Sequence, residues 1–130
     1  MSATIAKVNP QDPQDAIVAD AARALKRGGL VIMPTETVYG IACDGSNKKA
    51  VDRLSAIKQR GNKPFSLHID NKEIVRDFCT DVPVAAYKLM ERFWPGPLTI
   101  VFKAKDGGTI GIRMPDDKVA LRLIRLAEAP

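Results

Sequence analysis

The stretch Gly28-Gly29-Leu30-Val31-Ile32-Met33-Pro34 decides the fold class. Paired glycines stop a helix, and the short apolar run after them reads as a buried strand. Upstream, Pro13 through Arg27 has helical spacing, with Ile17, Ala21, Ala24 and Leu25 on one apolar face. Asp12 stands where it can cap that helix, with Pro13 in the first turn. Downstream, a second strand is expected around Ile41-Ala42-Cys43. Asp44-Gly45-Ser46-Asn47 then turns the chain into a helix through Lys58, with Val51, Leu54 and Ile57 facing inward.

The same alternation continues to the end. Phe65-Ser66-Leu67-His68-Ile69 alternates as a strand does. Asn71 caps a short helix bearing Ile74, Val75 and Phe78. Asp81 starts another, with Pro83 in its first turn and Leu89, Met90 and Phe93 to bury. Trp94-Pro95-Gly96-Pro97 ends that helix, because neither proline can continue it. Leu98 through Phe102 is a strand, Gly107-Gly108 a turn, and Thr109 through Arg113 the next strand. Asp116 or Asp117 caps a last helix through Leu126. Strands separated by helices predict an α/β domain with one sheet covered by helices. The tight link from Phe102 to Thr109 makes at least one pair antiparallel, so the sheet should be mixed.

A length of 130 residues fits one domain able to bury its own core. No apolar run approaches the roughly 18 to 20 residues of a membrane helix. The first residues lack the pattern of a secretory signal, so a cytoplasmic protein is expected, with no membrane association. Cys43 and Cys79 form no CxxC pair and read as buried free thiols, although one disulfide is possible on paper. Two cysteines and one histidine at these spacings do not make a zinc site.

The net charge of +5 suggests an anionic partner without identifying it. Between Lys48 and Lys63 stand Lys48, Lys49, Arg53, Lys58, Arg60 and Lys63 against the single acid Asp52. The first three read as a solvated helix face. Lys58, Arg60 and Lys63 fall where a helix ends and a loop begins, which suits an anion site. Arg60 offers a planar fork of donors and Lys58 a point charge, able to hold a polyphosphate and stabilise charge during phosphoryl or adenylyl transfer. Arg113, at a strand end before Met114-Pro115, reads either as a second anion clamp or as a structural salt bridge. Thr35, Thr37 and Tyr39 offer hydroxyls to a substrate or to a turn. His68 reads as a satisfied core residue and Trp94 as a packing plug. Gly40 to Gly45 has P-loop spacing, but Ser46-Asn47 replaces the required Lys and Ser/Thr. No GxGxxG, HExxH or GxSxG motif is present.

Four ordered blocks, GGLVIMPTETVYGIACD, KQRGNKPFSLHI, FWPGPLTIVF and TIGIRMPDDKVALRLI, closely resemble the YrdC/TsaC threonylcarbamoyl-AMP synthase family. The resemblance implies an α/β fold with a twisted mixed sheet flanked by helices and a deep basic concave surface. It implies synthesis of threonylcarbamoyl-AMP and pyrophosphate from L-threonine, bicarbonate and ATP, with Mg2+ held mostly by the phosphates. A separate transferase complex then modifies the adenosine at position 37 of tRNAs that read ANN codons. By motif matching, Lys58 and Arg60 are the catalytic pair that contacts ATP and the intermediate. Lys63 and Thr109 join them around the nucleotide, and Thr35, His68 and Arg113 hold threonine, the arginine on its carboxylate.

The segment Lys103 to Gly108 is shorter than is usual in the family, which implies a trimmed pocket wall. In the family a proline such as Pro130 is followed closely by a Ser-Ala-Asn motif and further strands. A chain stopping at Pro130 would be truncated at its C-terminus, with a cleft open on one side and a sheet edge exposed. Two other functions compete with the adenylate-forming one. An RNA-binding module would grip tRNA or double-stranded RNA through phosphates, without chemistry. A domain of the hydrogenase-maturation carbamoyltransferase type would sit in a much longer chain with acylphosphatase and zinc-finger-like segments.

Overall fold

A computed structural model describes residues 5–35, 39–58 and 65–127. In chain order the elements are α1 (Asp15–Lys26), β1 (Val31–Pro34), β2 (Tyr39–Ala42), α2 (Lys48–Lys58) and β3 (Leu67–His68). A single 3-10 turn (Lys72–Ile74) leads into α3 (Val75–Phe78), followed by α4 (Val84–Phe93), β4 (Ile100–Lys103), β5 (Thr109–Arg113) and α5 (Lys118–Ala127). The α/β class expected from the sequence is therefore present. The strands divide into two sheets where one was expected: an antiparallel ribbon β1-β2, and a three-stranded sheet in the order β3-β5-β4. The second is mixed, because β5 runs parallel to β3 and antiparallel to β4.

Local chemistry sets the boundaries. Asn47 takes the N-cap of α2, its Oδ1 accepting from the Ala50 amide at 3.1 Å. Asn71 Oδ1 accepts from the Glu73 amide at 3.0 Å, as its position predicts. Of the two candidate aspartates before α5, Asp117 is the cap, accepting from the Ala120 amide at 2.9 Å. Two expected caps are not caps. Asn9 Oδ1 takes the amides of Gln11 and Asp12 and holds a turn there, so α1 begins only at Asp15, with Gln14 at its N-cap position. Asp81 sits at φ +49°, and Pro83 occupies the N-cap position of α4 in extended conformation.

Two apolar clusters make the core. The first lies on one face of the three-stranded sheet, where Ile69, Phe102 and Ile112 meet Val75 and Cys79 from the α3 segment and Ala86, Met90 and Trp94 from α4 and its end. The second joins Val18, Ala22 and Leu25 of α1, Met33 of β1, and Ala120, Leu123 and Ala127 of α5. The buried stripe of α1 is thus displaced by one residue from the expected face, and Ile17, Ala21 and Ala24 are only half-buried. On α2, Ala50 and Leu54 are buried while Ile57 is exposed, against expectation. On α4, Met90 is buried as expected but Leu89 and Phe93 face outward. α5 is tied back to the N-terminal segment, with Lys118 Nζ donating to the Gln11 carbonyl at 3.1 Å and Arg122 Nη1 to the Pro13 carbonyl at 2.5 Å.

Candidate functional site

Strand alternation sorts the three-stranded sheet into two unlike faces. Leu67, Ile69, Ile100, Phe102, Ile110 and Ile112 belong to the first core cluster or pack against it. Their alternates, Ser66 and His68, Thr99, Val101 and Lys103, and Thr109, Gly111 and Arg113, therefore share the opposite face. That face carries hydroxyls, an imidazole and cations instead of an apolar packing surface.

Its geometry follows from register. His68 and Arg113 are direct partners in the parallel β3-β5 pair, so the two side chains leave the same face as neighbours. Both are half-buried, and Arg113 Nε donates to the Gly96 carbonyl at 3.2 Å. Beside them Gly111 forms a floor. A Cβ there would lie 3.2 Å from Thr99 Cγ2 and 3.4 Å from Ser66 Oγ, so these two side chains already lean over the glycine from either side. Thr109 stands at the other end of β5, exposed beside Lys103. Four steps along the strand separate it from Arg113, about 13 Å at ~3.3 Å per residue.

The sequence-predicted residues are thus placed unequally. His68 and Arg113 are brought together, and Thr109 shares their face at a distance. Thr35 follows β1 and belongs to the ribbon, where it is half-buried. Tyr39 opens β2 and is 75% exposed. Lys58 is the last residue of α2. Arg60 and Lys63, with Thr37, lie outside the described residues. Trp94 is the packing plug expected, buried in the first cluster with its indole N–H donating to the Leu98 carbonyl at 2.8 Å. Ser66, Thr99 and Gly111 were not singled out by motif reading. Their signal was only the alternation of the strands that carry them.

Neither thiol is poised as a nucleophile. Both cysteines are free, Cys79 buried and Cys43 half-buried. Burial pushes the Cys43 thiol up, and the neighbouring Asp44 carboxylate adds to that; burial likewise raises Cys79, against a small opposing effect of Lys105. Among the described residues no three His, Cys, Asp or Glu side chains gather as metal ligands, and no helix is long and apolar enough to cross a membrane.

The chain is similar to known proteins in sequence and in fold. The Sua5/YciO/YrdC family model, whose description reads telomere recombination, matches residues 23–130. The threonylcarbamoyl-AMP synthase of Pyrococcus abyssi is 38% identical over 120 residues, covering 85% of this chain and 35% of that protein. That of Bacillus subtilis is 36% identical over 135 residues, covering 95% of this chain and 38% of that protein. The crystal structure of P. abyssi Sua5 complexed with L-threonine superposes with a TM-score of 0.88 at 34% identity, over 92% of this chain and 38% of that one. This chain therefore spans little more than a third of the length of these relatives.

Proposed function

The chain belongs to the Sua5/YciO/YrdC family, and we propose that it is a threonylcarbamoyl-AMP synthase-type nucleotidyltransferase domain. It would act in the cytoplasm on the route to N6-threonylcarbamoyladenosine in tRNA. Its substrates are L-threonine, bicarbonate and ATP with Mg2+. The observation that carries this reading is the pairing of His68 with Arg113 on the hydroxyl-bearing face of the three-stranded sheet. A guanidinium fork beside an imidazole suits an amino-acid carboxylate and the polar groups next to it. Thr35 completes the threonine site. Thr109, further along the same face, suits the nucleotide end of an extended adenylate.

The chemistry asks little of the protein beyond position and charge. The threonine amine and bicarbonate combine to a carbamate with loss of water. A carbamate oxygen then attacks the α-phosphorus of ATP. The bond from that phosphorus to the α–β bridging oxygen breaks, and pyrophosphate leaves with the electron pair. Lys58 and Arg60, supported by Lys63, hold the triphosphate and offset the charge growing on the leaving group. A separate transferase complex takes the threonylcarbamoyl group to tRNA.

The test is pyrophosphate release from ATP by the purified chain, with and without threonine and bicarbonate, beside Arg60→Ala. Release requiring both substrates and lost in the variant is the expected result. A folded chain that releases none, yet binds tRNA or double-stranded RNA in a salt-sensitive and threonine-independent way, would instead be an RNA-binding module.

A further inference from the structure

The Trp94-Pro95-Gly96-Pro97 turn does more than end α4. Both main-chain groups of Gly96 bond to the end of β5 and the residue after it: the Gly96 amide donates to the Met114 carbonyl at 2.9 Å, and the Gly96 carbonyl accepts from Arg113 Nε at 3.2 Å. The turn is itself fixed at both ends. The Trp94 amide continues the helix by donating to the Met90 carbonyl at 2.9 Å, and the Trp94 indole closes onto the Leu98 carbonyl. Met90 and Trp94 are 2% and 3% exposed, so that anchor sits in the core. Gly96 is buried, and a Cβ on it would collide with the Phe93 carbonyl oxygen. Only glycine brings the chain this close to the helix end, and that approach delivers the Gly96 carbonyl to Arg113.

We infer that this turn is a positioning device for the Arg113 guanidinium, with Gly96 and Trp94 as positioning residues. The inference rests on the proposed role of Arg113 as the threonine carboxylate clamp. An arginine side chain has many rotamers, and recognition of a planar carboxylate requires its fork in one plane. Bonding Nε to a main-chain carbonyl that is itself anchored in the core fixes that plane before the ligand arrives. Misplacement by about 1 Å can cost a site on the order of 100-fold, so such an anchor matters to function more than to folding. Lysine at this position would keep the charge but lose the Nε contact.

The experiment uses the whole chain and follows L-threonine and ATP binding by calorimetry, with the Arg113 Nε–H followed by NMR hydrogen exchange. The variants are Arg113→Ala, Arg113→Lys and Trp94→Phe, the last keeping an aromatic ring in the core while removing the indole N–H. The wild type is expected to bind threonine, with a slowly exchanging Arg113 Nε–H. Arg113→Lys should lose threonine affinity nearly as fully as Arg113→Ala. Trp94→Phe should weaken threonine about 10-fold, leave ATP affinity unchanged and speed Nε–H exchange. Wild-type threonine affinity in Arg113→Lys would overturn the inference, as would fast Nε–H exchange in the wild type. So would a folded Trp94→Phe protein unchanged in both readouts. Failure of the wild type to bind threonine, or binding retained in Arg113→Ala, would instead remove the assigned role of Arg113. Slow exchange of Nε–H that Trp94→Phe releases would then still establish the anchor itself.

Discussion

Gly111 illustrates how one missing side chain can shape a site. Its φ lies outside the left-handed region, so the backbone does not require glycine there, and what a side chain would meet is Thr99 and Ser66. Both neighbours are exposed and can yield by a few tenths of an ångström. Gly111→Ala should therefore cost no more than about 1 kcal/mol of stability, the low end of overpacking. The methyl group would nonetheless stand on the floor beside His68 and Arg113, where the proposed ligand lies. Threonine affinity should fall about tenfold, roughly 1.4 kcal/mol. Thr99→Ser removes the Cγ2 that crowds the new methyl, so Gly111→Ala/Thr99→Ser should recover stability toward the wild type. Thermal melts and threonine titrations of the two variants check this. A Gly111→Ala protein that binds threonine normally would show that the floor lies outside the ligand's path.

Among the elements, α5 holds the second core cluster together. It buries Val119, Ala120, Leu123, Ile124 and Ala127, and it joins α1 and β1 in the second cluster. Leu123→Ala should cost roughly 2–5 kcal/mol, depending on how far the site collapses. Asp117→Ala removes only the cap and should cost about 1 kcal/mol. Urea unfolding of the two variants checks the order, and an Asp117 effect equal to that of Leu123 would contradict it. The sequence made such elements legible because helix periodicity and stop signals are local. It did not make legible which stripe of a helix meets the core. α4 carries apolar residues on two stripes, and only Ala86 and Met90 find a sheet to pack on. Phe93 is left 46% exposed under the Arg92 guanidinium, 5.6 Å from the ring centroid. The caps at Asn71 and Asp117 were readable, whereas Asp12 lost its role to a turn held by Asn9, a competition between side chains that no cap rule weighs. The site divides in the same way. Motif blocks named His68 and Arg113, but their direct pairing depends on which strands neighbour each other. The Gly96 bond to Arg113 spans 17 residues, beyond the reach of local pattern.

For the whole molecule, the ribbon β1-β2 raises a question of association. One face of it rests on α1 and α5 through Val31, Met33 and Ala42. The other carries Ile32 and Tyr39, 68% and 75% exposed, with Ile41 opposite Ile32 in register. Among the described residues neither outer edge of the ribbon is paired with another strand. Open strand edges beside exposed apolar side chains template pairing with a further chain. The purified protein should therefore self-associate as its concentration rises. Ile32→Lys should suppress this at little cost to stability, since the replaced side chain is largely in water. Salt decides what holds the copies together. Each copy carries a net charge of +5, so like-charge repulsion opposes association and salt screens it. Assembly through the ribbon should strengthen as salt rises, whereas contacts to a nucleic acid weaken. Sedimentation velocity of the wild type and Ile32→Lys at low and high salt separates the two. Oligomers that dissolve at high salt, or persist unchanged in Ile32→Lys, would place the contact on another surface.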